Sequence, residues 1–337
     1  MSSPEIVARV SSEVLPAEIL PAEVLPTDGA PAEVLPALSA LPGRVEAAEP
    51  VWRGHVRAFF RSPGAALGFA ILVLTILAAC LAPWITPQDP YDLANLDVMD
   101  GTLPPGSRSF SGMLYLLGTD AQGRDMLSAI VYGLRVSLVV GLSATLVAAT
   151  LGSAVGVLAA NAGGRVDAVL MRLADLQLSF PAILIALVLL AAFGRGVDKV
   201  VIALIAVQWA YYARAIRATA LVERRREYME AARALALPRR SLIVRHLLPN
   251  CLPPVIVVAT MQVAHAIALE ATLSFLGVGV PVTEPSLGLL IKNGYDYLLS
   301  GKYWISTFPG LALVAVIVAI NLVGDRLRDV LNPRFSD

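Results

Sequence analysis

The chain has 337 residues, of which 57% are hydrophobic and 15% charged, and its mean hydropathy is +0.70. A soluble domain is nearer half apolar and a quarter charged, so one core of this size cannot hide the apolar surplus and a bilayer must solvate part of the surface. Formal net charge is zero, which offers nothing to a nucleic-acid backbone, and two cysteines, Cys80 and Cys251, without a histidine cluster exclude a disulfide scaffold or a zinc site.

Residues 1–50 are low in complexity. The unit Pro-Ala-Glu-Val/Ile-Leu-Pro recurs at 16–21, 21–26 and 31–36. Proline at that density removes backbone donors and disfavours helix at each preceding residue, which predicts a disordered, partly polyproline-like cytoplasmic tail. A docking peptide is the alternative. Glu5, Glu13, Glu18 and Glu23 stand where a signal peptide would carry a basic patch and an apolar stretch, so the first hydrophobic span is expected to act as its own membrane signal.

Six uncharged runs follow. The first, 63–82, opens with Ser62-Pro63, an N-cap and first-turn proline. The second, 136–161, contains Gly152 and Gly156, small residues that let helices approach closely. The others cover 176–193, 200–213, 251–269 and 304–323. A spanning helix needs about 20 apolar residues. The fourth run falls short, and its helix is completed if Arg214 snorkels to the headgroups. The expected spans are 63–84, 136–161, 176–194, 199–217, 251–275 and 304–324, an all-α integral membrane fold. Both cysteines fall in these runs and read as small buried hydrophobes. If the N-terminus is cytoplasmic and the spans alternate, 19 of the 26 basic residues lie inside, placing both termini there.

The segment between spans four and five is long, basic and helix-prone. It reads as a helix from Arg214 to Leu237, a break at Pro238, and a second helix from Arg239 to Leu248 stopped by Pro249. Such a structured loop, 221–250, suits docking to a soluble partner; an anchor on anionic lipid is the plainer alternative. Polar residues inside the spans are rare and usually face a cavity or a partner. Glu270 lines the translocation path or gate, or it ties bundle helices together. Gln262 and Gln208 carry the same two readings, and His265 is expected as a bundle contact. In the outer loop, Asp120, Arg124 and Asp125 either meet a partner protein or tie the loop to the next helix. Residues 286–304, with Tyr295, Tyr297, Tyr303 and Trp304, fit an interfacial helix with aromatic anchors.

Within the basic loop stands Glu230-Ala231-Ala232, with Ala236 four positions on and His246-Leu247-Leu248-Pro249 after nine more residues. This resembles the EAA loop of ABC importer permeases, E-A-A-x3-G-x9-I-x-L-P, with Ala236 in place of glycine and His246 in place of isoleucine. Arg245 to Asn250 is similar to the peptide/nickel branch. Leu117-Gly118-Thr119-Asp120 with Gly123-Arg124-Asp125, Leu273 to Gly277, Pro285 to Gly288, Asn321 to Asp325 and Asn332-Pro333-Arg334 resemble the C-type subunit of that branch.

The resemblance covers about residues 50–337 and implies an ABC type I importer permease fold with six transmembrane helices in a bacterial inner membrane. It implies that Glu230, Ala231, Ala232, Ala236, Arg239, Arg240, His246 and Pro249 couple to an ATPase, and that the bundle carries di- or oligopeptides by alternating access, with nickel or another small solute as the alternative. The implied partners are a homologous second permease, two ABC ATPases and an extracytoplasmic binding protein. No G-x-x-x-x-G-K-[ST] loop occurs in the chain, so ATP and Mg are expected on the partner ATPases and no cofactor or metal on this chain. Ser274 lacks the frame of an intramembrane serine hydrolase, and a passive channel or scaffold would not need the arginine-rich loop.

Overall fold

The computed structural model describes residues 51–92, 96–109 and 112–331. The tail at 1–50 and Asn332-Pro333-Arg334 lie outside the described residues. Helix α1 (Val51–Phe60) precedes α2 (Pro63–Cys80), whose Ser62 Oγ caps Ala65 N at 3.4 Å as the Ser-Pro pair predicts. A short turn, Ala82–Ile85, leads into a connecting segment with a small antiparallel hairpin, Ser107–Arg108 against Leu114–Tyr115. Then come α3 (Met126–Ala162), α4 (Gly164–Ser179), α5 (Ala182–Phe193) and α6 (Val197–Glu223). The basic segment holds α7 (Glu227–Ala234), and α8 (Leu248–Phe275), α9 (Leu287–Tyr295) and α10 (Trp304–Leu331) complete the chain.

Among the described residues five helices are long and apolar enough to cross a membrane, and a sixth crossing is counted if the bent pair α4–α5 is one span. Large apolar side chains cover the outside of the bundle: Leu74 is 69% exposed, Leu146 67% and Val188 68%. Only a hydrocarbon solvent makes that arrangement inexpensive.

The packing fixes the direction of each helix. Gly68 of α2 meets Leu322 of α10, and Trp304 Nε1 at the start of α10 donates to Thr119 O at 3.2 Å beside the start of α3. Thr145 of α3 lies beside Gln208 of α6, and Arg224 donates to the Ala160 carbonyl, so α3 and α6 run parallel. Ser137 meets Glu270 of α8, while Cys251 packs with Val157 and Ile216, so α8 runs the other way. Arg326 of α10 reaches the Ala58 carbonyl at 2.6 Å. The described start and end of the chain therefore share one end of the bundle. Glycine packing holds α3 on α6: a methyl group on Gly152 would lie 2.7 Å from Tyr212 Cβ, and one on Gly156 would strike Ile216 and the Ala213 carbonyl.

Several boundaries differ from the sequence expectation. The second span begins at Met126, not 136, because Asp125 caps the helix through Ser128 N at 2.8 Å and Arg135 sits on its exposed face. The expected continuous span 176–194 is broken: α4 and α5 meet at 91°. Phe180 precedes Pro181 and takes φ −96°, ψ 142°, the extended conformation that a following proline imposes. The fourth span runs on to Glu223. Arg214 pairs with Asp175 at 3.5 Å, and Arg217 grips Asp167 at 2.5 and 2.6 Å, clamping α4 onto α6. Cys80 is exposed, while Cys251 is buried as expected. Helix α9 is not a purely interfacial helix: Leu287, Leu289 and Leu290 are buried within the bundle, and Tyr295 and Tyr303 remain exposed.

Candidate functional site

The basic segment lies at the end of the bundle that also holds the described chain ends. Helix α6 stops at Glu223, whose carboxylate takes Arg226 Nε at 3.0 Å and the Tyr228 hydroxyl at 2.8 Å. That staple folds 224–226 into a turn, so the expected single helix from Arg214 to Leu237 is two helices at this point. Arg226 adopts an extended conformation and α7 restarts at Glu227. Tyr228 lies outside the membrane-spanning helices; burial, then its bond to Glu223, pushes the phenol up to about 12.

Helix α7 is amphipathic over two turns. Met229 and Ala232, three apart, are 3% and 6% exposed, and Met229 packs with Ile216, Leu247 and Cys251. Glu230, Ala231 and Ala234 point to solvent. Small side chains there leave a smooth ridge with two carboxylates, Glu227 and Glu230, at its start. Arg233 Nη2 donates to the Arg224 carbonyl at 2.9 Å, tying α7 back to the turn.

The end of α7 settles the conformation at position 236. Leu237 N donates to Ala232 O at 3.3 Å and Ala236 N to Arg233 O at 2.9 Å, the paired bonds of a Schellman motif. Ala236 has φ +52°. The left-handed geometry for which glycine is suited is retained with alanine in its place. Leu235, at the tip, is 75% exposed; it went unnoticed in the sequence, where an apolar residue among arginines was the available signal.

Pro238 starts a turn at Arg239–Ser241 that passes into a π-helical stretch, Leu242–Leu247, and then α8. The expected stop at Pro249 does not occur, and Arg239–Phe275 forms one continuous helix. Leu248 N reaches back five residues to Ile243 O, so the helix is already widened where the Pro249 ring would otherwise crowd it. Asn250 Nδ2 donates to His246 O at 2.6 Å. Arg239, Arg240 and Pro249 are exposed and His246 is half-buried. The structure thus brings the eight loop residues to one end of the molecule, with Ala232 facing inward.

Glu270, Gln262 and Gln208 lie elsewhere, inside the helix packing. Glu270 is 0% exposed and accepts from Ser137 Oγ at 3.0 Å and Ser274 Oγ at 2.8 Å, joining α3 to α8. Gln208 Nε2 donates to Gln262 O at 3.3 Å, joining α6 to α8. In this conformation none of the three stands on an open wall of the chain. His265, expected as a bundle contact, is instead exposed on α8, with Nδ1 3.4 Å from Met261 O.

At the opposite end of the bundle, the segment before α3 forms a cap. Asp120 accepts from Gln122 N and Arg124 N at 2.8 and 3.0 Å, and Arg124 donates to Val282 O at 3.2 Å. Asp125 caps α3, so it ties the loop to the helix. Burial pushes the Asp120 carboxyl above its ordinary value and Arg124 below its own. Among the described residues no group of three His, Cys, Asp or Glu side chains is placed to hold a metal.

A family model described as the binding-protein-dependent transport system inner membrane component matches residues 152–337. Another, the N-terminal TM domain of oligopeptide transport permease C, matches 51–105. A putative peptide transport system permease protein of Brucella suis is 43% identical over 270 residues, covering 80% of this chain and 88% of the relative. The di/tripeptide transport system permease protein of Pseudomonas aeruginosa is 36% identical, covering 83% and 91%. The dipeptide transport system permease protein of Escherichia coli K12 is 38% identical, covering 82% and 91%. Among solved structures, a chain of the MetNI methionine ABC transporter in an inward-facing conformation aligns with a TM-score of 0.51 at 21% identity, covering 61% of this chain and 98% of that one.

Proposed function

Because this chain belongs to the family of binding-protein-dependent transport system inner membrane components, we propose that it forms half of the translocation path of an ABC importer for di- and oligopeptides. The relatives, named as peptide, di/tripeptide and dipeptide permeases, favour peptides over nickel. The arginine-rich end faces the cytoplasm and the Asp120–Asp125 cap faces outward, in line with the charge bias. A homologous second permease, two ABC ATPases and an extracytoplasmic binding protein complete the assembly. ATP and Mg reside on the ATPases.

The observation that carries the coupling role is the exposed ridge of α7. Glu230, Ala231, Ala234 and Leu235 project outward, while Met229 locks the helix onto the ends of α6 and α8 and Ala232 is buried beside it. A push on the ridge is thereby delivered to two spans, one of them continuous from Arg239 to Phe275. Closure of the ATPases moves this lever, and the bundle alternates between inward-open and outward-open states. The path itself runs along the exposed stripe of α8 that includes Met261, His265 and Thr272, because a polar group on the outside of a span needs a cavity or partner. Glu270, Gln262 and Gln208 hold that helix from behind.

Glu230→Lys tests the coupling. Membrane insertion is expected to persist while peptide uptake and co-purification of the ATPase are lost; normal uptake would remove the assignment. Uptake of labelled dipeptides and of nickel, in cells lacking this chain and in complemented cells, decides the cargo.

A further inference from the structure

Between the end of α3, helix α7 and the π-helical stretch lies a cavity of about 560 Å³. Three guanidinium groups line it, those of Arg224, Arg233 and Arg239, together with Asn161 and an apolar wall that includes Leu158 and Leu247. No carboxylate is in the lining. Among the described residues none of the three arginines joins an ion pair; the nearby Glu223 is engaged by Arg226 and Tyr228. Two of the three are held in place by backbone carbonyls: Arg224 by Ala160 O and Arg233 by Arg224 O. Their charge is positioned and uncompensated.

We propose that this cavity binds the phosphate-bearing headgroup of an anionic phospholipid. Three like charges gathered without a counter-ion repel one another, and a phosphoryl anion accepts hydrogen bonds from several guanidinium groups at once. The apolar side of the cavity selects the source. Leu158, which is 55% exposed, lines the site from a membrane-spanning helix. A headgroup among the arginines leaves its acyl chains beside Leu158, whereas free phosphate would leave that wall unused. Basic pockets between spans at an inner membrane face hold such headgroups elsewhere. The site sits directly behind α7, so occupancy would stiffen the lever. It depends on neither the cargo nor the identity of the docking partner.

The test uses the assembled transporter in nanodiscs of phosphatidylcholine, alone or mixed with phosphatidylglycerol. The readout is phosphatidylglycerol retained on this chain by native mass spectrometry after transfer to neutral detergent. Retention by the wild type is expected, falling about five-fold for each of Arg233→Gln and Arg239→Gln. Among the described residues the Arg239 side chain makes no hydrogen bond or ion pair, so its variant leaves the fold intact. Arg328→Gln, an exposed arginine outside the cavity, should retain lipid normally. Equal retention in all four proteins overturns the proposal, as does equal loss in Arg328→Gln, which would indicate a general surface charge effect. Displacement of phosphatidylglycerol by millimolar inorganic phosphate would assign the site to free phosphate. Retention by the separate chain but not by the assembly would assign it to an acidic group of the ATPase. Either result rejects the lipid.

Discussion

Ala236 carries a left-handed conformation that an alanine side chain opposes. With φ +52° at the C′ position of α7, the conformation costs a non-glycine residue roughly 1–2 kcal/mol. Ala236→Gly removes that strain but gives the unfolded chain more freedom, an opposing effect of about 0.4–1 kcal/mol. The net gain is about 0.5–1 kcal/mol, a factor of about two to five in the local opening equilibrium. Ala236→Val adds a β-branched side chain at positive φ and should cost a further ~1 kcal/mol or more. Amide hydrogen exchange at Leu235, Ala236 and Leu237 in the reconstituted transporter measures the opening directly. Protection should rise in the order Val, Ala, Gly, and ATPase co-purification should follow the same order. Equal protection in the valine and wild-type proteins would show that the motif does not hold the loop, and the assigned geometry of the lever would fall with it.

Two further substitutions probe the bundle. Glu270→Ala strands the hydroxyls of Ser137 and Ser274 in an enclosed space, at a cost of about 2–4 kcal/mol, whereas Glu270→Gln keeps an acceptor and the shape and should lose less than half of that; identical melting losses in lipid would mean the carboxylate is not the tie between α3 and α8. Gly156→Leu forces a side chain into Ile216 and the Ala213 carbonyl and should cost at least ~1–3 kcal/mol, while Gly310→Ala, which meets nothing within 4 Å, should be neutral or slightly stabilising. Comparable melting temperatures for the two variants would refute the close packing of α3 on α6.

Much of this fold was legible in the order of residues, since hydropathy, capping and small-residue spacing are local properties. The apolar runs, the Ser62-Pro63 start, the Gly152/Gly156 contact and the separation of Glu230 from Pro249 needed no knowledge of distant neighbours. Position 236 is intermediate: the resemblance puts glycine there, a residue suited to a left-handed turn, and the backbone bonds from Ala236 and Leu237 decided that alanine adopts that conformation. The rest depends on which surfaces meet. Proline broke the third span at Phe180 but not the helix through Pro249, because only the latter is preceded by a π-helical widening. Hydropathy counted Glu270 and His265 alike as polar residues in an apolar run; packing against Ser137 enclosed one and left the other on the outside. The three arginines of the cavity are separated by nine and six positions in the chain, and share a space because α7 folds back beneath the end of α3. Composition fixes what a residue tolerates, but its neighbours across the bundle fix what it meets.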